Sequence, residues 1–227
     1  AESTFPALVY GAFSGMALTV FNLVPSVTNM FGKSVLPCAA QSWAKGQKEA
    51  VQKQLQSVLF LTALIALPAA GGLFCLSDSI LMLLYPGQET ACRIAAESLR
   101  SLLPGMVFLC FTMPLFSILQ GIGRADLPVK YMLPCVAVKL LGNILFLQIP
   151  ACSLLGAGLS TSLCYALLFG MTLFSLCRML GMSLRGLKPI LPLCYAATMS
   201  ITTAYLFRNL TRTMPLPVML LCSVGSA

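Results

Sequence analysis

The chain has 227 residues, 58% of them hydrophobic and 9% charged, with a formal net charge of +8 at pH 7. A soluble domain carries about 25% charged residues, so this composition excludes a water-exposed globular surface, and its basic residues sit in short loops rather than on a nucleic-acid-binding face. It predicts an all-α, polytopic integral membrane bundle, because crossing a hydrocarbon core of roughly 30 Å takes about 20 mostly apolar residues.

In chain order, the first run extends from Phe5 to Leu36 with one charge, Lys33, and is expected to close at Pro37 before the polar stretch Gln41 to Gln54. The second, Ser57 to Tyr85, contains Pro68 and Gly71-Gly72, which predict a kink or break. Ser77-Asp78-Ser79 follows, with Asp78 placed to cap a second helical piece. The third, Ala95 to Leu119, stops at a Gly- and Pro-containing loop, Gln120 to Pro128. The fourth, Val129 to Pro150, holds Lys139 and Asn143, and the fifth runs from Leu154 to Leu176. A sixth, Ile190 to Phe207, and part of a seventh, Pro215 to Ser223, complete the count: about six full spans plus part of a seventh. The chain reads as starting internally and as truncated at both ends.

Loop charge predicts the orientation. Alternate loops carry Lys45, Lys48 and Lys53, then Arg124 and Lys130, then Arg178, Arg185 and Lys188. The intervening loops carry only Arg93, then no basic residue, then Arg208 and Arg212. By the positive-inside bias the first set is cytoplasmic, so the first span runs from outside inward.

Among single residues, Lys139 stands out, since a charge near mid-span costs about 2.5 to 3.5 kcal/mol and must face protein or a watery cavity. Asn143 lies one turn on, on the same face. Two readings stand: a polar pair that packs helices, or a cationic lining for an anionic cargo. Lys33 is placed to snorkel to the cytoplasmic interface. Arg93, Glu97 and Arg100 are spaced to form an ion triad at an outer helix end, either a solvated helix start or an outer gate. Gly11 and Gly15 form a GxxxG pattern that favours close helix packing. Asn209-Leu210-Thr211 has the form of a glycosylation sequon.

Ten cysteines lie singly in or beside apolar runs, with no CxxC, and read as small packing residues. With no histidine, no GxxxxGK[ST], no HExxH and no nucleophile elbow, no catalytic residue, metal site or cofactor is expected, and the chain does not read as an enzyme.

Several segments together resemble the polysaccharide-export and flippase branch of the MOP superfamily, of the stage V sporulation protein B type. They are Tyr10 to Leu18, Leu36-Pro37 with Ala44-Lys45-Gly46, Leu67 to Leu73, Ile118 to Arg124, Val138-Lys139-Leu140 with Asn143, and Gly156-Ala157. The resemblance covers roughly residues 8 to 182. It implies fourteen spans in a complete protein, arranged as two six-helix lobes around a cavity plus two further helices. Residues 1–182 would then be the C-terminal lobe without its first helix, and 183–227 the additional C-terminal helices, cut short. The implied activity is movement of lipid-linked saccharides across the cytoplasmic membrane by alternating access, with the bilayer, that substrate and the missing N-terminal lobe as partners. Lys139, Asn143 and Gln120 are the expected cargo-lining residues. The arginine that lipid II flippases carry in the first span is absent here. A multidrug or cation antiporter of the same superfamily, with Asp78 as a coupling acid, and a non-transporting membrane scaffold remain as alternatives.

Overall fold

The structure is a computed structural model, and it describes residues 10–147 and 153–181. The expected sixth and seventh runs, the sequon, Arg185, Lys188 and the 183–227 unit lie outside the described residues.

Within those residues the fold is helical throughout. A π-helical segment, Ala12–Ala17, leads directly into α1, Leu18–Ala44, followed by α2, Lys48–Leu84, α3, Glu89–Gly121, α4, Asp126–Leu147, and α5, Ser153–Leu180. At about 1.5 Å per residue α2 and α3 are roughly 55 and 50 Å long, well beyond the hydrocarbon core, so their ends reach the interfaces. Each tight turn is closed by a glycine in the left-handed region, for example Gly46 at φ 70° and Gly123 at φ 79°, a conformation that costs glycine nothing and ends the preceding helix.

α3 is the central element and packs against α1, α2 and α5, while α4 lies outermost and packs chiefly on α5. Small residues make this possible. A methyl group added at Gly158 would stand 2.6 Å from Ser101 Cβ, and one at Gly121 would stand 2.8 Å from the Leu36 carbonyl oxygen. Such backbone approach replaces the hydrophobic drive that lipid cannot supply between helices. By contrast, a methyl at Gly11 or Gly15 would meet nothing within 4 Å, so the GxxxG pattern is not a packing seam among the described residues.

Three expectations about helix ends are corrected. α1 continues through Pro25 and Pro37 to Ala44, and α2 passes Pro68 and Gly71-Gly72 without a break. Packed neighbours hold these helices through the missing N–H groups, which is how spanning helices tolerate proline. The loop expected over Gln120 to Pro128 shrinks to a turn, because helix α4 restarts at Asp126 and takes Pro128 into its first turn, where a missing N–H costs little. Asp126 there receives Lys130 Nζ at 3.1 Å and lies 3.6 Å from Arg124.

Six of the seven described cysteines are buried and Cys38 is exposed, in keeping with a packing role. The basic turns gather at one end of the bundle: Gln52, at the start of α2, donates to the Leu180 carbonyl at the end of α5, at 2.9 Å. Gly121 closes against Leu36 and Ala39 at that same end.

Candidate functional site

Four described helices have the length and apolar character to cross a membrane: Lys48–Leu84, Glu89–Gly121, Asp126–Ile144 and Gly158–Leu180. α1 is not among them, although it packs in the same bundle against α2 and α3. The reason lies in one stripe of its surface. Gly15, Thr19, Asn22, Ser26, Asn29 and Lys33 recur at three- and four-residue intervals and fall on one face. All are exposed except Asn29, which is half-buried. The opposite face, with Val20, Phe21, Pro25, Thr28 and Gly32, is buried against the bundle.

The stripe is partly satisfied from within. Thr19 donates to the Gly15 carbonyl at 2.6 Å, Asn22 to Leu18 at 2.8 Å and Ser26 to Asn22 at 2.7 Å. Hydroxyls can hide in lipid by such bonds to the preceding turn. An amide and an ammonium cannot: Asn22 keeps its oxygen and a second N–H unbonded, and Asn29 and Lys33 have no hydrogen-bond partner among the described residues. Lys33 lies roughly 16 Å along the axis from the end of α1, whose last turn carries Gln41 and Ser42. Exposed amides on a helix packed in a membrane bundle belong in a cavity or against protein, and Lys33 either joins them or reaches the interface along its stem.

At the end away from the basic turns, the stripe runs into the π-helical segment. The Leu18 N–H reaches back five residues to the Phe13 carbonyl, and the Gly15 carbonyl accepts from both Thr19 and the Tyr85 hydroxyl, the latter at 3.3 Å. The wide π turn and the Tyr85–Gln88 connection frame an open cleft of about 690 Å³, lined by Gly11, Gly15, Met16, Tyr85, Gln88 and Glu89. Single π turns inside α-helices recur at functional sites.

The other polar candidates are distributed differently from expectation. Asp78 does not cap a helix. It lies within α2 and pairs with Arg100 of α3, the Arg100 nitrogen Nη2 standing 2.5 Å from Oδ2, while Arg100 Nε donates to the Phe74 carbonyl at 3.3 Å. The Arg93–Glu97–Arg100 triad therefore does not form, since the stronger geometry lies across to α2. Arg93 and Glu97 are exposed and make no ion pair among the described residues.

Asn143 accepts a hydrogen bond from Ser160 of α5 at 2.5 Å, next to the close approach of Gly142 to Ser160. With the Tyr131–Ser175 hydroxyl contact and the Cys135, Cys164 and Leu168 cluster, it forms the seam between α4 and α5. Lys139, one turn away, is half-buried with no hydrogen bond or ion pair among the described residues. Gln120 is not brought to them. It is exposed at the end of α3, about 20 Å along α4 from Lys139, and α4 touches α3 little.

Asn22, Ser26 and Asn29 come to notice only in the structure. Their signal was the spacing Asn22, Ser26, Asn29, Lys33, a polar helical period inside an otherwise apolar run, which an averaged view of that run conceals.

Comparison with known proteins fits this architecture. The MatE family model, of the MOP superfamily, matches residues 12–145, more than half of the chain. The chain belongs to the MatE family. A curated relative of this MatE chain, described as an uncharacterized membrane protein of Methanocaldococcus jannaschii, MJ1068, is 26% identical over 157 residues, covering 69% of this chain and 30% of that protein. Among solved structures, the lipid II flippase MurJ in an inward closed conformation is similar in fold, with a TM-score of 0.66 at 16% identity, covering 96% of this chain and 44% of that one. The MatE chain is thus a multi-pass integral membrane protein that spans less than half the length of either relative. Its α1 stripe and π turn fall largely within the matched region.

Proposed function

We propose that this chain is part of a flippase or exporter that moves lipid-linked saccharides across the cytoplasmic membrane by alternating access, and that the α1 stripe lines its path. The observation carrying the reading is an exposed row of amides and hydroxyls, with a cation, on a helix otherwise packed in a membrane bundle. A diphosphate-sugar head is anionic and rich in hydroxyls, and it would meet Lys33 and the amides of Asn22 and Asn29 while its hydrocarbon chain stays in lipid. MurJ, named a lipid II flippase, supports the class of cargo. The motif resemblance to the sporulation branch, and the absence of an arginine in the first helix, favour a saccharide carrier other than lipid II. In this reading residues 1–182 form the C-terminal lobe, and the stripe faces the N-terminal lobe.

Lys139 is the second cation available to such a head group. The test is a flipping assay with the full-length protein in proteoliposomes containing a fluorescent polyprenyl-diphosphate saccharide. A hydrogen bond to a charged group contributes about 1.5 to 3 kcal/mol, so Lys33→Ala and Lys139→Ala are each expected to slow flipping by roughly tenfold or more with insertion unchanged, and Lys139→Arg less. Failure of the unaltered protein to flip any such substrate refutes the reading; normal rates in both alanine variants remove these residues from the path.

A further inference from the structure

α3 is helical from Glu89 to Gly121, yet two successive rungs of its ladder are weakened near its middle. Pro104 has no N–H, so the Arg100 carbonyl lacks its donor four residues on. The next N–H, that of Gly105, donates to Ser162 Oγ of α5 at 3.0 Å. The Ser162 hydroxyl in turn lies 2.9 Å from the Gly158 carbonyl on its own helix and 3.3 Å from the Ser101 carbonyl of α3. Ser101 C=O is the acceptor that Gly105 N–H uses in an undisturbed α-helix, so the Ser162 side chain straddles that rung. Proline and a side chain set into the ladder are the recurrent physical causes of helix bending.

Two glycines allow this reach. A methyl on Gly105 would stand 3.0 Å from Ser162 Cα, and one on Gly158 would overlap Ser101. On another flank of the same point, between α2 and α3, lies an apolar cleft of about 340 Å³ lined by Ala70, Gly71, Phe74, Arg100, Leu103 and Pro104. Arg100 borders it and ties α3 to Asp78 of α2. One polar contact thus holds α3 to α5 at the weak rung, another holds it to α2 one turn earlier, and there is open space beside both.

We propose that Pro104-Gly105 is a hinge in α3, that Ser162 is its clasp, and that the Asp78–Arg100 pair restrains the arm of α3 preceding it. Residues Glu89 to Leu103 swing about this point relative to the rest of the bundle. The inference goes beyond the transport reading and does not depend on the cargo.

The arm from Gly105 to Thr90 is roughly 22 Å long, so a bend of about 20° moves Thr90 by about 8 Å. Thr90 and Leu159 are both exposed, on α3 and α5, and spin labels at these positions in the full-length protein, in a cysteine-free background in nanodiscs, report the swing by pulsed dipolar spectroscopy. Ser162→Ala and Arg100→Gln are each expected to add or enlarge a population displaced by about 8 Å. Pro104→Ala, which restores the missing rung, is expected to remove it from either background. Distances unchanged by both releasing variants, or a shift that Pro104→Ala leaves in place, overturn the hinge. If Ser162→Ala does not fold, Arg100→Gln with and without Pro104→Ala decides the matter. Flipping is measured separately: a swing without transport by the unaltered protein counts against the cargo reading alone, and transport without a swing counts against the hinge alone.

Discussion

Arg100→Ala is expected to destabilise the full-length protein by about 1 to 3 kcal/mol, whereas Asp78→Asn combined with Arg100→Met is expected to recover most of that loss. Removing one member of a fully buried ion pair costs about 3 to 5 kcal/mol, because the other charge is stranded. Here the side chains are 26% and 35% exposed, so screening reduces the cost toward the lower range. The single change leaves Asp78 in an apolar helix pair and frees the Phe74 carbonyl from Arg100. The double change removes both desolvation penalties together, and replacement of a buried pair by apolar groups is often neutral. Denaturant titration of the purified protein in mixed micelles measures the difference. Equal losses in the single and double variants would show that the pair contributes through packing alone.

Leucine at both Asn22 and Ser26 is expected to abolish transport, by more than about tenfold, with stability within about 0.5 kcal/mol of the unaltered protein or higher. Both residues are exposed and bond only to the preceding turn of their own helix, so nothing in the described bundle depends on them. Leucine inserts into a bilayer readily and raises helix propensity relative to asparagine and serine. A lipid-facing stripe would therefore accept the change without functional loss. A path-lining stripe would lose its hydrogen-bonding groups and gain two bulky apolar side chains in a watery passage. The two situations separate when flipping and thermal unfolding are measured on the same preparation.

Much of the architecture was legible in the residues because the signals were local. Apolar runs marked the existence and order of α2 to α5, although α2 starts at Lys48 and α3 at Glu89, well ahead of the runs at Ser57 and Ala95, and Pro86-Gly87 and Gly121 to Gly123 marked turns through backbone geometry that glycine alone adopts freely. What was not legible came from partners distant in sequence. The Ser77-Asp78-Ser79 segment looks like a cap when read locally, but Arg100, 22 residues away, takes Asp78 and leaves the helix unbroken. Pro37 looks like a stop and Pro68 like a kink or break, yet neighbouring helices keep α1 and α2 continuous. Lys139 and Asn143 share a helical face as their spacing implies, but Ser160 gives Asn143 a structural partner. Gln120 shares a motif with Arg124 without sharing a place with Lys139. The α1 stripe was present in the spacing but diluted by Leu23, Val27 and Met30, exposed apolar residues between its polar ones.

Transport along α1 requires its polar face to meet water in the membrane. The most direct measurement is the reactivity of single cysteines at Asn22, Ser26 and Lys33 with a membrane-impermeant thiol reagent, in a cysteine-free, full-length background, alongside a control at Leu163 on the exposed apolar face of α5. The stripe positions are expected to react, from one side of the membrane or from both in turn, and to be protected by the lipid-linked saccharide, while Leu163→Cys stays unreactive. Stripe cysteines as inert as that control would place the face in lipid and exclude it as a transport path.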